Sequence, residues 1–171
     1  MQQSLFVVDT QNLFYSVRDL YGPGARIDFK KLSDKVKQLC GPQLRCIAYL
    51  GHMKDELRSL VAALKKLGYQ IQNKPTITPR GDEEIPVLDQ LVDAWKQYNL
   101  VCVASGDGDF IPLYDELRKT GTRVVVLAFS NALNTELLKR ADQVLMLDEL
   151  MLFKTPEATE EEEPTIEPPT L

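Results

Sequence analysis

Six short apolar runs recur along the chain, at residues 4–8, 44–50, 69–72, 100–104, 123–127 and 143–146. The first, fourth and fifth are almost continuously apolar, as strands covered on both faces require. Between the runs the apolar residues change to helical spacing. Leu13, Phe14, Val17 and Leu20 form one such set, and Leu57, Leu60, Val61 and Leu64 form another within a helix expected over residues 54–67. Asp28 is placed to cap a helix carrying Leu32, Val36 and Leu39, with Lys30, Lys31, Lys35 and Lys37 on its wet side. Further helices are expected over residues 82–98, 110–120 and 131–140, with Pro86 tolerated in a first turn. Gly68 and Gly121 stand where helices end, and residues 21–24 break the chain. Strands alternating with helices of this length predict parallel βαβ units in one three-layer α/β/α, Rossmann-like domain over residues 1–154.

The chemistry gathers where two of these strands end. The run Leu100–Ala104 breaks into Ser105-Gly106-Asp107-Gly108-Asp109-Phe110, whose glycines permit a tight turn and a close backbone approach to a ligand. Asp107 and Asp109 thus stand at the carboxyl end of a buried strand, the edge where open α/β sheets bind ligands. Crowded carboxylates repel unless a cation or a shared proton relieves them, and a hard ion such as Mg²⁺ suits oxygen donors. The alternative is a turn whose Asp109 merely caps the next helix. Asp9 is likewise the first polar residue after a buried strand, so it joins the cluster if the first and fourth strands are neighbours. On the helix before the fourth strand, Leu88, Leu91, Val92 and Trp95 make the buried stripe. Asp89 borders that stripe, whereas Asp93 lies farther towards solvent. A metal site or a salt bridge would each account for Asp89.

Composition narrows the setting. The formal net charge is −5, but residues 155–171 hold six glutamates and no basic residue; without them 20 basic side chains face 19 acidic ones. The acidic, proline-bearing tail reads as disordered, and the domain's charge neither demands nor forbids a nucleic-acid partner. Cys40, Cys46 and Cys102 stand apart, without metal-ligand spacing, which suits a reducing cytoplasm. His52 is the only histidine, so a His-rich zinc site is excluded. No apolar run reaches the length of a membrane span.

These residues resemble the NYN domains of the LabA-like group. Val7-Val8-Asp9-Thr10-Gln11-Asn12 is similar to the family's opening strand and Asp-x-x-Asn turn, and Ser105-Gly106-Asp107-Gly108-Asp109-Phe110 matches its signature. Gly121, Val124–Val126 and Ala141-Asp142 fit its closing pattern. In the middle, Arg80-Gly81-Asp82-Glu83 stands where the family has Lys-Gly-x-Asp, with Glu83 replacing the aspartate and Asp89 six residues on. NYN domains are similar to PIN-domain nucleases, so the resemblance implies a ribonuclease using Mg²⁺ or Mn²⁺. It places Asp9, Asp89, Asp107 and Asp109 at the metal and catalytic positions, with Asn12 beside them. Ser105, Asn12 and Arg80 are then expected to contact substrate, and Lys74 and the Lys30–Lys37 face to track a phosphate backbone. The expected partner is RNA, single-stranded or structured, with a homodimer as the assembly to test. The competing reading is a catalytically weak domain serving as an RNA-binding or protein-interaction module. A haloacid-dehalogenase-like phosphatase would need Asp where Gln11 stands, and a toprim-type site would need Glu where Asp9 stands.

Overall fold

The computed structural model describes residues 3–51, 58–77 and 87–154. Six parallel strands, β1 (Ser4–Asp9), β2 (Leu44–Leu50), β3 (Gln70–Asn73), β4 (Leu100–Ala104), β5 (Arg123–Ala128) and β6 (Gln143–Met146), lie in the order β3-β2-β1-β4-β5-β6. The sheet grows from β1 to one edge and then from β4 to the other, so the first and fourth strands are neighbours. Ser4 to Val8 pair with Leu100 to Ala104 in register.

Strand alternation builds two cores. Leu5 and Val7 of β1 face one side with Val101, Val103, Val124 and Val126. There they meet α4 (Val87–Trp95), α5 (Ile111–Lys119) and α6 (Leu137–Arg140) through Trp95, Leu113, Leu117 and Leu137. Phe6 and Val8 face the other side with Cys102, Ala104, Val125 and Leu127. They pack on Leu13 and Val17 of α1 (Thr10–Tyr21), Leu32 and Val36 of α2 (Phe29–Cys40) and Leu64 of α3 (Arg58–Lys66). Every β1 residue is buried, which is why its sequence shows no polar alternation.

Local chemistry fixes the element ends. The Asp28 carboxylate accepts from the amides of Lys30 and Lys31, capping α2 as its sequence predicts. Gly68 and Gly121 adopt φ of 88° and 85° after α3 and α5, conformations that any Cβ would disfavour. Two expectations change. Leu39 is exposed on α2, and Cys40, one residue on, takes the inward direction at the helix end. The helix expected over 131–140 is a 3₁₀ turn (Ser130–Ala132) followed by the single turn of α6. Its middle is diverted because the Asn134 amide donates to the Gly106 carbonyl and the Asn134 carboxamide caps Glu136 N–H. The expectations for residues 52–57 and 78–86, Arg80 and Glu83 among them, and for the tail from residue 155 lie outside the described residues. Among the described residues no helix is long and apolar enough to cross a membrane.

The rotation of α2 can be checked by paired substitutions. Val36→Ala should lower unfolding free energy by about 2 kcal/mol, from lost burial and the space left behind. Leu39→Ser should change it by less than about 0.5 kcal/mol in the same urea titration.

Candidate active site

Two strand ends create the site. The β1 chain leaves the sheet at Asp9, whose side chain is wholly buried yet belongs to the loop edge. A carboxylate so placed needs partners, and the sequence supplies them from three directions. Ser105, the first residue after β4, donates its hydroxyl to Asp9 Oδ2 at 2.9 Å. The Asn12 backbone amide donates to Asp9 Oδ1 at 3.3 Å, so Asp9 also caps α1. The third partner is Lys74, just beyond β3, whose ammonium stands 2.8 Å from Asp9 Oδ2 and 2.8 Å from Asp107 Oδ2. The repulsion expected between neighbouring carboxylates is thus relieved by a cation that the chain itself carries.

The turn after β4 is equally determined. Asn12 Oδ1 accepts from Gly106 N–H at 3.0 Å, and Ser105 Oγ accepts from Asp107 N–H at 3.1 Å. Asp107 Oδ1 accepts from Asp109 N–H at 2.9 Å, starting a 3₁₀ turn (Gly108–Phe110) before α5. The cap of this turn is therefore Asp107, and Asp109 is left exposed. Gly106 is required by crowding: a Cβ there would lie 2.1 Å from the Ala132 carbonyl oxygen. A Cβ on Gly108 would likewise meet the Asn134 side chain at 2.2 Å.

Two clefts meet at Lys74. One, of about 490 Å³, is lined by Gln11, Gly51, Asn73, Pro75, Asp109 and Phe110 besides Lys74. The other, of about 330 Å³, is lined by Asn12, Tyr15, Asp19, Asp107 and Asn131 besides Lys74. A larger opening of about 840 Å³ lies at the amino ends of β5 and β6, where it already holds the Arg118–Asp142 and Arg140–Asp115 ion pairs. It carries none of the convergent buried groups seen at the carboxyl edge.

The family model of the NYN domain matches residues 5–148. The chain belongs to the NYN domain family. No curated protein matches it. Among solved structures, it is similar to the crystal structure of a protein of unknown function from Vibrio parahaemolyticus, with a TM-score of 0.67 and 22% identity. That likeness covers 89% of this chain and 96% of the other and concerns the fold.

Within this NYN domain the structure brings Asp9, Asn12, Ser105 and Asp107 together, with Asp109 on the adjoining cleft. Asp89 is half-buried in the first turn of α4, beside Leu88 and Val92, and does not line either cleft. Asp93 is exposed and pairs with Lys96 at 2.6 Å. Among the described residues no three acidic, histidine or cysteine side chains are gathered closely enough to hold a metal ion. The fit to a cation rests instead on two observations. The Asp9 and Asp107 oxygens both lie at bonding distance from one positive centre. The Tyr114 hydroxyl, near enough to feel the charges of both, is fully buried without a hydrogen-bond partner among the described residues. Burial first, then the charges of Asp9 and Asp107, hold that hydroxyl in its protonated, donating form. Oxygen donors around a positive centre are what a hard divalent ion requires.

The sequence marks Lys74 as a basic residue able to track a phosphate backbone, not as the partner of Asp9 and Asp107. Its position depends on the parallel pairing that lets Lys74 N–H donate to the Leu50 carbonyl at 2.9 Å, which aims the side chain across the end of β2. The ammonium also lies 5.5 Å from the Phe110 ring centroid.

The pairing sets a pH window. Burial raises the Asp107 pKa, but the Lys74 hydrogen bond, the Asp109 amide and the Lys74 charge together hold it below the usual 3.8. Burial lowers the Lys74 pKa, yet bonds to Asp107 and Asp9 hold it above the usual 10.5. Their stabilisation is complete above 3.8 for Asp107 and below 10.5 for Lys74, and is lost beyond the shifted values. Lys74→Met should therefore cost about 3 kcal/mol near neutrality, since it strands Asp9 without its cation. In denaturant titrations across pH, its deficit relative to the natural protein should shrink as acid protonates Asp107 and as alkali discharges Lys74.

Proposed function

We propose that this NYN domain is a metal-dependent ribonuclease that hydrolyses RNA phosphodiester bonds at the carboxyl edge of β1 and β4. The observation that carries the reading is Asp9, a wholly buried carboxylate sharing one cation with Asp107 where two clefts meet. Asp9 and Asp107 would hold Mg²⁺ or Mn²⁺, with Asp109 on the adjoining cleft as a further carboxylate; Asp89, away from both clefts, is proposed as the fourth on the family spacing alone. When bound, such an ion lowers the pKa of a coordinated water from about 16 towards neutrality and offsets charge on the reacting phosphate.

The chain's own residues supply the remainder. Ser105 holds the Asp9 carboxylate in one orientation. Asn12 fixes the turn at Gly106, so that its role is to position Asp107 as well as to border the substrate cleft. Lys74 balances part of the carboxylate charge before substrate arrives and is long enough to turn towards a phosphate oxygen were an ion to take its place. Tyr15, half exposed on α1 at the smaller cleft, offers a ring on which an unpaired base can stack. Single-stranded RNA fits that arrangement better than a duplex, whose bases are already stacked. The three free thiols suit a cytoplasmic setting.

One observation favours the second reading, an RNA-binding or protein-interaction module: Lys74 already balances part of the acidic charge. A melting curve with Mn²⁺ and a cleavage assay with Mn²⁺, Mg²⁺ or chelator separate the two. For the ribonuclease, Mn²⁺ should raise the melting temperature by mass action, and Asp107→Asn should abolish both the rise and cleavage. Cleavage absent from the natural protein on every RNA, with no Mn²⁺ response, would give the module first place.

The helix carboxylates provide a finer test. Asp89→Asn should reduce metal-dependent cleavage at least about tenfold, or about 1.4 kcal/mol of barrier. Asp93→Asn, already directed to solvent, should change it less than about threefold, an effect of under 1 kcal/mol. A crippled Asp93→Asn beside an active Asp89→Asn would remove Asp89 from the site.

A further inference from the structure

We propose that Cys40 and Cys102 form a reversible intramolecular disulfide when the protein meets a hydroperoxide. The two residues are 62 positions apart, yet their Sγ atoms lie 3.2 Å from one another. Both are free thiols, as is Cys46. A disulfide needs about 2.0 Å, so an approach of roughly 1.2 Å makes the bond.

The surroundings divide the labour between them. Cys102 is fixed: it is wholly buried in the middle of β4, level with Phe6 of β1 and Val125 of β5. Cys40 is the movable partner. It is the last residue of α2, half-buried, and is followed by Gly41 at φ 83°. Helix ends rearrange at far lower cost than a central strand, so the closing motion falls to Cys40. Cys40 is also the better nucleophile. The hydrogen bond with Cys102 favours its thiolate; burial opposes this and the Arg123 charge assists, leaving its pKa below the usual 9.0. The same hydrogen bond, together with burial, holds Cys102 as the thiol. Cys46 is buried on β2, and burial pushes its thiol up.

The reaction balances without a metal. The Cys40 thiolate attacks the outer oxygen of the hydroperoxide; an S–O bond forms, the O–O bond breaks, and the leaving oxygen departs as an alcohol or water after taking a proton. Cys102 sulfur then attacks Cys40 sulfur, forming S–S as the S–O bond breaks. The departing hydroxide takes the Cys102 proton and leaves as water. Two thiols are oxidised by two electrons and one hydroperoxide is reduced, giving one disulfide, one alcohol or water, and one further water. The bond ties the end of α2 to β4 three residues before Ser105. It closes a long loop, so it should be read in stability. The inference is independent of the ribonuclease reading.

The test uses the full chain, reduced and desalted, then treated with stoichiometric hydrogen peroxide, blocked with iodoacetamide and digested without reductant. Mass spectrometry should find the Cys40 and Cys102 peptides joined and 2 Da lighter than the two thiols, separable again by dithiothreitol. The melting temperature should rise by about 5 °C or more, as long-loop closure implies. Cys40→Ser should lose both effects and Cys46→Ser should keep both. A bond that includes Cys46, a bond between two chains, or Cys40 oxidised to sulfinic acid while Cys102 remains alkylatable would each overturn the proposal.

Discussion

A carboxylate with no exposure to water governs the architecture of this NYN domain. Moving an isolated charge out of water costs several kcal/mol even after relaxation, and Asp9 has no exposed surface at all. Its oxygens are therefore the fixed points around which the loops are arranged. Ser105 must follow β4 directly, Asn12 must open α1, and Lys74 must reach across from the edge of the sheet. Each demand constrains a different element, and the strand order β3-β2-β1-β4 is what lets all three be met at once. A one-residue slip between β1 and β4 would turn Asp9 to the opposite face and leave Ser105 without its acceptor.

The parts legible in the sequence are those whose cause is local. Covered strands announce themselves by unbroken apolar runs, and β2, β4 and β6 fall on the expected residues. Asp9 and Asp107 were visible because each is the first acidic side chain beyond such a run, and the direction of Asp93 follows from the stripe at Leu88, Val92 and Trp95. What stayed hidden comes from long-range placement. Lys74 follows a four-residue edge strand of mixed character, and nothing nearby marks it as the partner of a residue 65 positions earlier. The Cys40–Cys102 approach depends on where α2 ends against a strand it does not adjoin in sequence. The helix expected at 131–140 failed for a related reason. Its apolar spacing is helical, but the Gly106 carbonyl captures the Asn134 amide and breaks the ladder.

The glycines of the signature also gain a physical meaning beyond turn formation. Gly106 and Gly108 sit under Ala132 and Asn134, where any Cβ would meet backbone or carboxamide at about 2 Å. The turn bearing Asp107 is thus pressed against the loop after β5, with Asn134 bonded to it from that side and Asn12 from the other. A carboxylate held this way would lose little freedom on taking a ligand, because the backbone beneath it has already been fixed.

Lys74 stabilises the site and sets what could replace it. Between Asp9 and Asp107 it supplies one positive charge to two negative ones, so the cluster stays attractive to a cation, and Asp109 at the cleft adds to that attraction. A monovalent ion would gain nothing over the tethered ammonium, which is already in place at high effective concentration. A divalent ion, if the site takes one as proposed, would bring twice the charge and prefer oxygen donors, so Asp9 and Asp107 would be the residues to hold it in place of Lys74. The displaced ammonium would then stand beside two clefts with its charge unspent, where an RNA phosphate can take it up. Under the proposed ribonuclease reading, ion entry and substrate binding would be coupled, because the side chain released by the first would become a ligand for the second. Such coupling would be reciprocal: a phosphate that drew Lys74 outward would also open the carboxylates to the ion.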